Sequence, residues 1–525
     1  MNTVEQASTI DRLRDSYDLT PFPGRKTCEL GKISVARQSK ATTEEYGKRI
    51  PFSDLPKTFQ DAVTVVRKLG LTHLWIDALC IVQDDEASLS KEISRMNEVY
   101  AGSTFTVALA NAPETDAGFL GTRWPLSWQD CWLTEEGNVN IVAHADAGQQ
   151  HSAMPGFCPL DKRGWVVQER LLSPRTIYYG KEHIFWDCRQ TSDHEQQPFE
   201  GPNAYGRAEK EEDKKFDIRE HDILLDNGMT GKLKRCYSKL QMLDVDGRDL
   251  MWESILRTTW HLIVSAYTNS TLSLDQDKSR ALAGAGALIQ KKFSMKASFG
   301  LWHDFFLTDL LWFPLRAEGP HSDPELFDRA PSWSWMARNR AVYNPWIVDM
   351  ASRAMFDGRY AYLIDAQLKA ELITLPEPTE FSVALGQIRD FGPYVIRLRG
   401  PLLKVKWGQD MTERPDEWRH DNGYFVTTDR KLALERESDH EHEHRNFRAD
   451  YILPADLDLF CLLVTETRNE AKGVIDKQLG LILEKMDEPD RYRRVGALQH
   501  ALSDRACEAC VLFPDDTPIA EVEII

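Results

Sequence analysis

Apolar residues recur first at helical and then at strand spacing in the N-terminal part of the chain. In residues 55–70 they lie three or four positions apart, which predicts a helix with one buried face that ends at a glycine. Residues 71–82 form a dense apolar run that predicts a buried strand. A second helix over residues 89–102 and a β-branched strand over residues 103–112 follow. The order helix, strand, helix, strand is typical of an α/β layer with parallel strands.

The pattern changes several times along the rest of the chain. Residues 160–190 predict a short helix and two strands, and the polar, charge-rich stretch after them predicts a linker. Helical spacing returns at residues 252–268 and 300–313, and alternation of apolar and polar residues dominates after residue 340. These changes predict a weakly patterned N-terminal segment (1–50), an α/β domain (51–190), a polar linker or surface excursion (191–240), a helical region ending in PSWSW (241–340) and a β-rich C-terminal module (341–525), either a sandwich or a barrel.

The composition is that of a soluble globular chain. Its 525 residues are 42% hydrophobic and 28% charged, which excludes collagen-like, coiled-coil and wholly disordered classes. The 64 Lys and Arg against 82 Asp and Glu give a net charge of −18, so the field repels phosphate and we expect no bulk nucleic-acid binding. No run approaches the roughly 20 apolar residues of a membrane span, and the N-terminus has no apolar signal core. Nine scattered cysteines suit a reducing compartment, so we expect a cytoplasmic protein.

Familiar catalytic and cofactor motifs are absent from the sequence. It contains no phosphate-binding glycine loop, no G-x-S-x-G and no H-E-x-x-H. Residues 439–444 alternate carboxylates with histidines, but without helical or hairpin spacing the run is more typical of a solvated loop than of a metal site. Cys507 and Cys510 have the spacing of half a zinc site without a second pair, so buried thiols are the simpler interpretation. These motifs predict no metal and no cofactor.

One group of polar residues follows the apolar run of the α/β domain. Asp77, Cys80 and Gln83 punctuate the end of the predicted strand, the position where α/β folds bind ligands. A buried Asp77 needs a partner, which Arg163 or Arg170 could supply. Two interpretations stay open, an internal ion pair that fixes the turn and a ligand site.

Three further features predict close packing. Residues 165–170 place an indole, a carboxylate and a guanidinium on one short helix, an arrangement that usually holds loops together. Residues 283–287 alternate alanine and glycine within a helical stretch, which favours tight helix packing. The two indoles of residues 331–335 predict either a wedge of core between domains or an aromatic cage for a ligand ring.

Several blocks of the sequence, taken in order, resemble one family. They match L-P-x-T-x-x-D-A, a strand ending in D-x-x-C-I-x-Q, a helix with E-x-x-x-M-x-x-[IV]-Y, and R-[GA]-W-x-x-Q-E. The matching residues are Leu55, Pro56, Thr58, Asp61 and Ala62; Asp77, Cys80, Ile81 and Gln83; Glu92, Met96, Val99 and Tyr100; and Arg163, Gly164, Trp165, Gln168 and Glu169. In this succession they resemble the fungal HET-domain (heterokaryon incompatibility) proteins, with looser similarity downstream in PSWSW and YRRVG.

The resemblance implies a role in fungal allorecognition and in the programmed cell death that follows fusion of unlike hyphae. It also implies a TIR-like parallel-sheet core, and some TIR domains cleave NAD. One family element is missing, because the opening strand, similar to Y-x-A-L-S-Y-x-W-G, has its nearest counterpart at residues 17–21 without the Trp-Gly end. The sequence therefore predicts an incomplete N-terminus of this domain.

Three hypotheses of function follow. The first is an effector that acts through self-assembly or protein partners, since the sequence shows no recognisable catalytic set. The second is an NAD-cleaving hydrolase, with Glu92 or Glu169 as the carboxylate that stabilises developing oxocarbenium charge. The third is a diverged copy recruited to secondary metabolism. We rank the hypotheses in this order.

Overall fold

The computed structural model of the protein mixes helices and β-sheets. The structure describes residues 18–19, 38–85, 89, 91–92, 95–110, 116–123, 131–136, 139–143, 160, 163–180, 183–195, 229–243, 250–270, 280–314, 318–320, 330–338, 342–344, 366–379, 394–409, 423–427, 431–432, 445–453, 457–469, 474–488, 490–501 and 512–525. The helices are α1 (Thr43–Tyr46), α2 (Lys57–Lys68), α3 (Asp77–Cys80), α4 (Met96–Gly102), α5 (Gly164–Leu172), α6 (Met229–Met242), α7 (Leu250–Thr268), α8 (Arg280–Phe293) and α9 (Phe306–Asp309).

The strands are short in the N-terminal half of the chain and long in the C-terminal half. They are β1 (Asp18–Leu19), β2 (Ile50–Pro51), β3 (Thr106–Leu109), β4 (Cys131–Glu136), β5 (Val139–Ala143), β6 (Arg175–Tyr179), β7 (Ile184–Cys188), β8 (Ser192–His194), β9 (Ala297–Ser298), β10 (Leu301–Trp302), β11 (Phe313–Pro314), β12 (Glu318–Pro320), β13 (Val342–Tyr343), β14 (Gln367–Leu368), β15 (Glu371–Thr374), β16 (Ile396–Gln409), β17 (Gly423–Thr427), β18 (Lys431–Leu432), β19 (Arg445–Ala449), β20 (Tyr451–Ile452), β21 (Leu457–Asn469), β22 (Val474–Lys485), β23 (Arg491–Ala501) and β24 (Ile519–Ile524).

Helix α2 confirms the helix predicted at residues 55–70. It lies at the centre of a hydrophobic core formed by residues 50–81, which we call the N-terminal unit. Its apolar face buries Phe59 and Val63 among residues from β2 and α3. The helix ends where Gly70 adopts a φ of 70°, and the Leu71 N–H donates to the Val66 carbonyl at 3.0 Å. Strand β2 pairs antiparallel with β1, which lies in the segment predicted as the nearest counterpart of the missing opening strand.

The strand predicted at residues 71–82 is wrong. Residues 71–76 belong to no strand, and the next four residues form the single turn of α3. The Asp77 carboxylate accepts the Ala78 N–H at 2.7 Å, a local bond that favours a helical turn over extended chain. Gln38 pairs with both sides of this turn, since its N–H donates to the Ala78 carbonyl at 3.0 Å and its carbonyl accepts the Gln83 N–H at 2.8 Å.

A mixed four-stranded sheet follows in the order β3-β6-β7-β8. It confirms the strand predicted near residues 103–112, and the helix and hairpin predicted at residues 160–190 are α5, β6 and β7. Strands β3 and β6 are parallel, with Thr106 opposite Thr176, whereas the other two pairs are antiparallel. With one parallel pair in this sheet, the described residues show an α/β arrangement but not the TIR-like parallel-sheet core that the resemblance implied.

Helices α6, α7 and α8 pack together and against α5. Helix α7 confirms the helix predicted at residues 252–268, and α6 begins within the stretch predicted as a linker. The continuous helix predicted at residues 300–313 is wrong. Phe299 and Gly300 adopt positive φ values of 45° and 82°, so the chain turns back and β10 pairs with β9. This hairpin buries Trp302 against Trp260, with ring centroids 5.0 Å apart.

The C-terminal half confirms a β-rich module. Among the described residues, ten strands form one sheet, in which β16, β21, β22, β23 and β24 pair successively and close into a ring. The ring closes through a parallel contact, where Arg491 and Tyr492 lie opposite Glu523 and Ile524. The long strand β16 makes this possible, because one end of it pairs with β24 and the other with β21.

The largest hydrophobic core joins the helices to the β-rich module. It contains Leu171 of α5, side chains of α6–α9, and Ile396 and Val522 from the ring. Trp333 and Trp335 lie within it, 0% and 3% exposed, which confirms the core interpretation of the PSWSW motif. The Trp333 Nε1–H donates to a carbonyl before β16 and the Trp335 Nε1–H to a carbonyl beside β10, so the motif links the two parts.

Candidate functional site

The first motif places polar side chains of α2 against a loop at residues 118–120. Asp61 Oδ2 accepts the N–H groups of Phe119 and Leu120 at 2.8 and 3.0 Å, Lys57 binds Oδ1, and the Thr58 hydroxyl accepts a further N–H of the loop. Burial opposes ionisation of Asp61, but the hydrogen bonds from Lys57 and the two amides outweigh it and lower the pKa of that carboxyl. The L-P-x-T-x-x-D-A residues therefore anchor a loop.

We expect Asp61→Ala to lower the free energy of unfolding by about 2 kcal/mol, because two loop amides and Lys57 lose a charged acceptor. Since the folded-state pKa is lowered, this contribution is present at neutral pH and is lost as the pH falls through that pKa. Urea unfolding at pH 7 and pH 3 measures both effects. Glu44→Ala is the control, since its ion pair with Lys48 is exposed and should contribute almost nothing. Equal effects of the two substitutions would contradict the anchoring role.

One cluster of charged and polar side chains comes from α3, α4, α5 and Arg163, the residue before α5. Glu169 accepts a hydrogen bond from the Tyr100 hydroxyl, and the charges that act on it are those of Arg163 and Asp77. Burial raises the pKa of Glu169 to about 7, Arg163 and the Tyr100 hydrogen bond oppose the rise, and the Asp77 charge adds to it. The Trp75 ring packs edge-on against Tyr100, with centroids 5.7 Å apart. The structure thus brings three sequence-predicted residues together around a carboxyl that titrates near neutral pH.

The other residues of the D-x-x-C-I-x-Q block have different surroundings. Cys80 is buried in the N-terminal core, and burial, with the charges of Asp77 and Glu92, raises the pKa of its thiol to about 12. The thiol is therefore neutral at physiological pH and is not an activated nucleophile. The side-chain amide of Gln83 and the Oε1 atom of buried Gln38 have no hydrogen-bond partner among the described residues.

Helix α5 attaches the N-terminal unit to the helical region. Gln168 is 2% exposed, and its Oε1 accepts the Gly284 N–H of α8 at 2.8 Å. Arg170 donates through Nε to the Tyr178 hydroxyl at 2.6 Å and lies over that ring, so it is engaged with strand β6. Trp165 packs against the largest core. The polar residues of this motif therefore hold structural elements together, as the sequence predicted for this short helix.

Gly284 has no room for a larger side chain, which confirms the tight packing predicted for residues 283–287. A Cβ there would lie 2.6 Å from Asn97 Cβ and 2.9 Å from Gln168 Oε1. We expect Gly284→Ala to lower the free energy of unfolding by about 1–2 kcal/mol through this overlap, although alanine favours a helix by about 1 kcal/mol. Urea unfolding measures the loss, and Gly121→Ala, with nothing within 4 Å of its Cβ, should be neutral. If the Gly284→Ala protein were more stable than the unaltered protein, a methyl group would fit between α8 and α5.

A small cavity in the helical region involves residues that sequence reasoning missed. His261 Nε2 lies 3.2 Å from Asp309 Oδ1, and both side chains are buried. Indoles line the cavity beside this pair, from Trp260, Trp312 and Trp335. The sequence held no signal for the pair, because His261 is one polar residue in a helix whose described side chains are nearly all buried, and Asp309 falls in a segment predicted as helix throughout.

The described residues hold no group of three or more His, Cys, Asp and Glu side chains that could bind a metal ion. The histidine-rich run at residues 439–444 lies outside the described residues, as do Cys507 and Cys510. Among the helices described, none is both long and apolar enough to cross a bilayer.

Comparison with known proteins finds one family model that matches part of the chain. Residues 31–169 match the family model described as Heterokaryon incompatibility protein (HET). This range contains the Asp61 loop anchor and the whole Glu169 cluster, and it ends within α5. Searches of curated proteins and of solved structures found no match. The chain therefore carries, over residues 31–169, a segment that matches the heterokaryon incompatibility (HET) family model.

Proposed function

We propose that this protein is an effector of fungal non-self recognition and programmed cell death, and that it acts through protein partners or self-assembly. The observation that supports this is that side chains of the HET motifs bind other parts of the same protein. Asp61 holds a loop and Gln168 holds helix α8, so these side chains are occupied within the protein. A catalytic set needs side chains that can reach a substrate, whereas a domain that presents a surface needs motif residues that fix its shape.

Expression of the full chain in a fungal host tests this proposal. We expect growth arrest and cell death at high expression, with both reduced by Asp61→Ala and unchanged by Glu44→Ala. Immunoblots verify equal expression, and normal growth at high expression would contradict the effector role. Cross-linking in the same cells tests the contact mechanism. A chain that kills while it stays monomeric and cross-links to no other protein would contradict it.

A second candidate function is NAD cleavage, and the protonation of Glu169 favours it. A carboxyl whose pKa lies near 7 suits acid–base work at a glycosidic bond, and its ionised form can stabilise oxocarbenium charge. The purified chain is incubated with NAD, and released nicotinamide is measured by chromatography. Under this candidate, Glu169→Gln should abolish release, and Glu92→Gln tests the second carboxylate. No nicotinamide from the unaltered protein, as monomer or assembly, would rule the activity out.

A further inference from the structure

We propose that the small cavity between helices α7 and α9 is a binding site for a single water molecule, which bridges His261 and Asp309. Both residues are more than nine-tenths buried, at 8% and 4% exposed. His261 Nε2 lies 3.2 Å from Asp309 Oδ1, yet neither atom has a hydrogen-bond partner among the described residues. The two atoms are therefore close without being aligned for a direct hydrogen bond. A buried polar atom that makes no hydrogen bond costs free energy, which a third group placed beside both atoms recovers.

The indole N–H groups around the cavity are already engaged. All three lining indoles donate to backbone carbonyls, Trp260 and Trp335 to that of Gly300 at 3.1 and 3.3 Å, and Trp312 to that of Trp333 at 2.9 Å. The indoles thus give the cavity apolar walls. Within the described part of the chain, His261 Nε2 and Asp309 Oδ1 are the buried side-chain atoms of this lining that lack a hydrogen bond, so a ligand binds there.

The size and the chemistry of the cavity both fit water. The space open to the centre of a water molecule is about 10 Å³, which holds one water and no larger ligand. A carboxylate oxygen accepts hydrogen bonds, whereas an imidazole nitrogen donates or accepts according to its protonation. Water donates to Asp309 and either accepts from His261 or donates to it, so it satisfies both atoms in each state. Ammonium, a cation of similar size, only donates and fits one of the two states.

The bound water connects separate parts of the helical region. His261 lies on α7 and Asp309 is the last residue of α9, while Trp335 of the PSWSW motif forms one wall. Strand β13 contributes Val342 to the lining, and the Val342 N–H donates to the Thr268 hydroxyl of α7 at 2.9 Å. The site lies outside residues 31–169, so its failure would leave the proposed function untouched.

A crystal structure of the full chain tests the site. We expect one density peak within hydrogen-bonding distance of both His261 Nε2 and Asp309 Oδ1. Val264→Ile adds a methyl group to a buried side chain that lines the cavity, so the peak should be lost. Val63→Ile, the control, enlarges a buried valine of α2, and the peak should remain. An empty cavity in the unaltered protein overturns the proposal even where Val264→Ile does not fold, and so does a peak that is unmoved in Val264→Ile.

Thermal unfolding distinguishes water from ammonium, which give the same density peak. We expect equal unfolding midpoints in ammonium chloride and in sodium chloride at the same ionic strength. A midpoint that is higher in ammonium chloride for the unaltered protein, but not for Val264→Ile, would assign the site to ammonium and overturn the proposal.

Discussion

Replacing Asp450 with alanine should lower the free energy of unfolding by about 3–5 kcal/mol, because it leaves two buried guanidinium groups without their carboxylate. Asp450, Arg338 and Arg494 are each fully buried. Asp450 Oδ2 lies 3.5 Å from Arg338 Nη2 and 3.3 Å from Arg494 Nε, so one carboxylate serves both cations. A buried charge that loses its partner costs far more than an exposed one.

The remaining contacts of Arg494 explain why the loss should spread beyond the three side chains. Its Nη1 donates to the Leu310 carbonyl at 2.7 Å, and its guanidinium carbon lies 3.4 Å from the centroid of the Trp312 ring. Burial lowers the pKa of Arg494 to about 10, with Asp450 opposing the shift and Arg338 adding to it. This guanidinium therefore connects strand β23 to the helical region, and the Asp450 carboxylate offsets the free-energy cost of burying its charge.

Urea unfolding followed by tryptophan fluorescence measures the effect, since Trp312 lies in the cluster. Asp458→Ala is the matched control, because its carboxylate is 49% exposed and pairs at the surface with Lys404. We expect almost no change from it. Asp450→Asn keeps a hydrogen-bond acceptor, so its free energy of unfolding should lie between those of the Asp450→Ala and Asp458→Ala proteins. An Asp450→Ala protein as stable as the Asp458→Ala protein would show that the buried guanidiniums need no carboxylate.

Among the elements that sequence periodicity predicted correctly, α2 has one buried face, and residues 396–400 of β16 alternate between buried and exposed. Helix α7 and strands β21 and β22 were also predicted correctly, although most of their described side chains are buried. Periodicity gave the wrong element at residues 71–82 and 300–313. Apolar residues are so frequent in these segments that their spacing does not distinguish a helix from a strand or a turn. Local details decided those segments. At α3 the decisive detail is the hydrogen bond that the Asp77 carboxylate accepts from the next backbone N–H. Before β10 it is the turn made by the positive φ values of Phe299 and Gly300.

The candidate site was predictable where its residues belong to motifs. Asp77 comes from one block of the HET resemblance and Arg163 and Glu169 from another, and the charges of Asp77 and Arg163 both act on Glu169. Tyr100, which donates a hydrogen bond to Glu169, also lies in a block, but spacing alone does not show which side chain it contacts. The buried ion pairs were not predictable. Lys234 looks like an ordinary surface charge on an amphipathic helix, and its partners lie far away in the sequence.

Lys234→Met should lower the free energy of unfolding by about 3 kcal/mol, because it leaves the Asp187 carboxylate buried without its cation. Lys234 Nζ lies 3.4 Å from Asp187 Oδ2 and donates to the Thr176 hydroxyl at 2.8 Å, with the lysine 1% and the aspartate 2% exposed. Burial lowers the pKa of Lys234, the Asp187 charge opposes this, and the Arg170 charge adds to it. The ammonium therefore depends on Asp187 for its charge.

A double-mutant cycle separates this pair from simple packing. Lys234→Met with Asp187→Leu removes both charges, so the double variant should lose less stability than the two single variants added together, by about 1–3 kcal/mol. Lys239→Met changes an exposed lysine of the same helix and should have little effect. Strict additivity in urea unfolding would mean that the two charges do not stabilise each other. In that case apolar contacts alone hold α6 against strands β6 and β7, and the buried Lys234 makes no net contribution to stability.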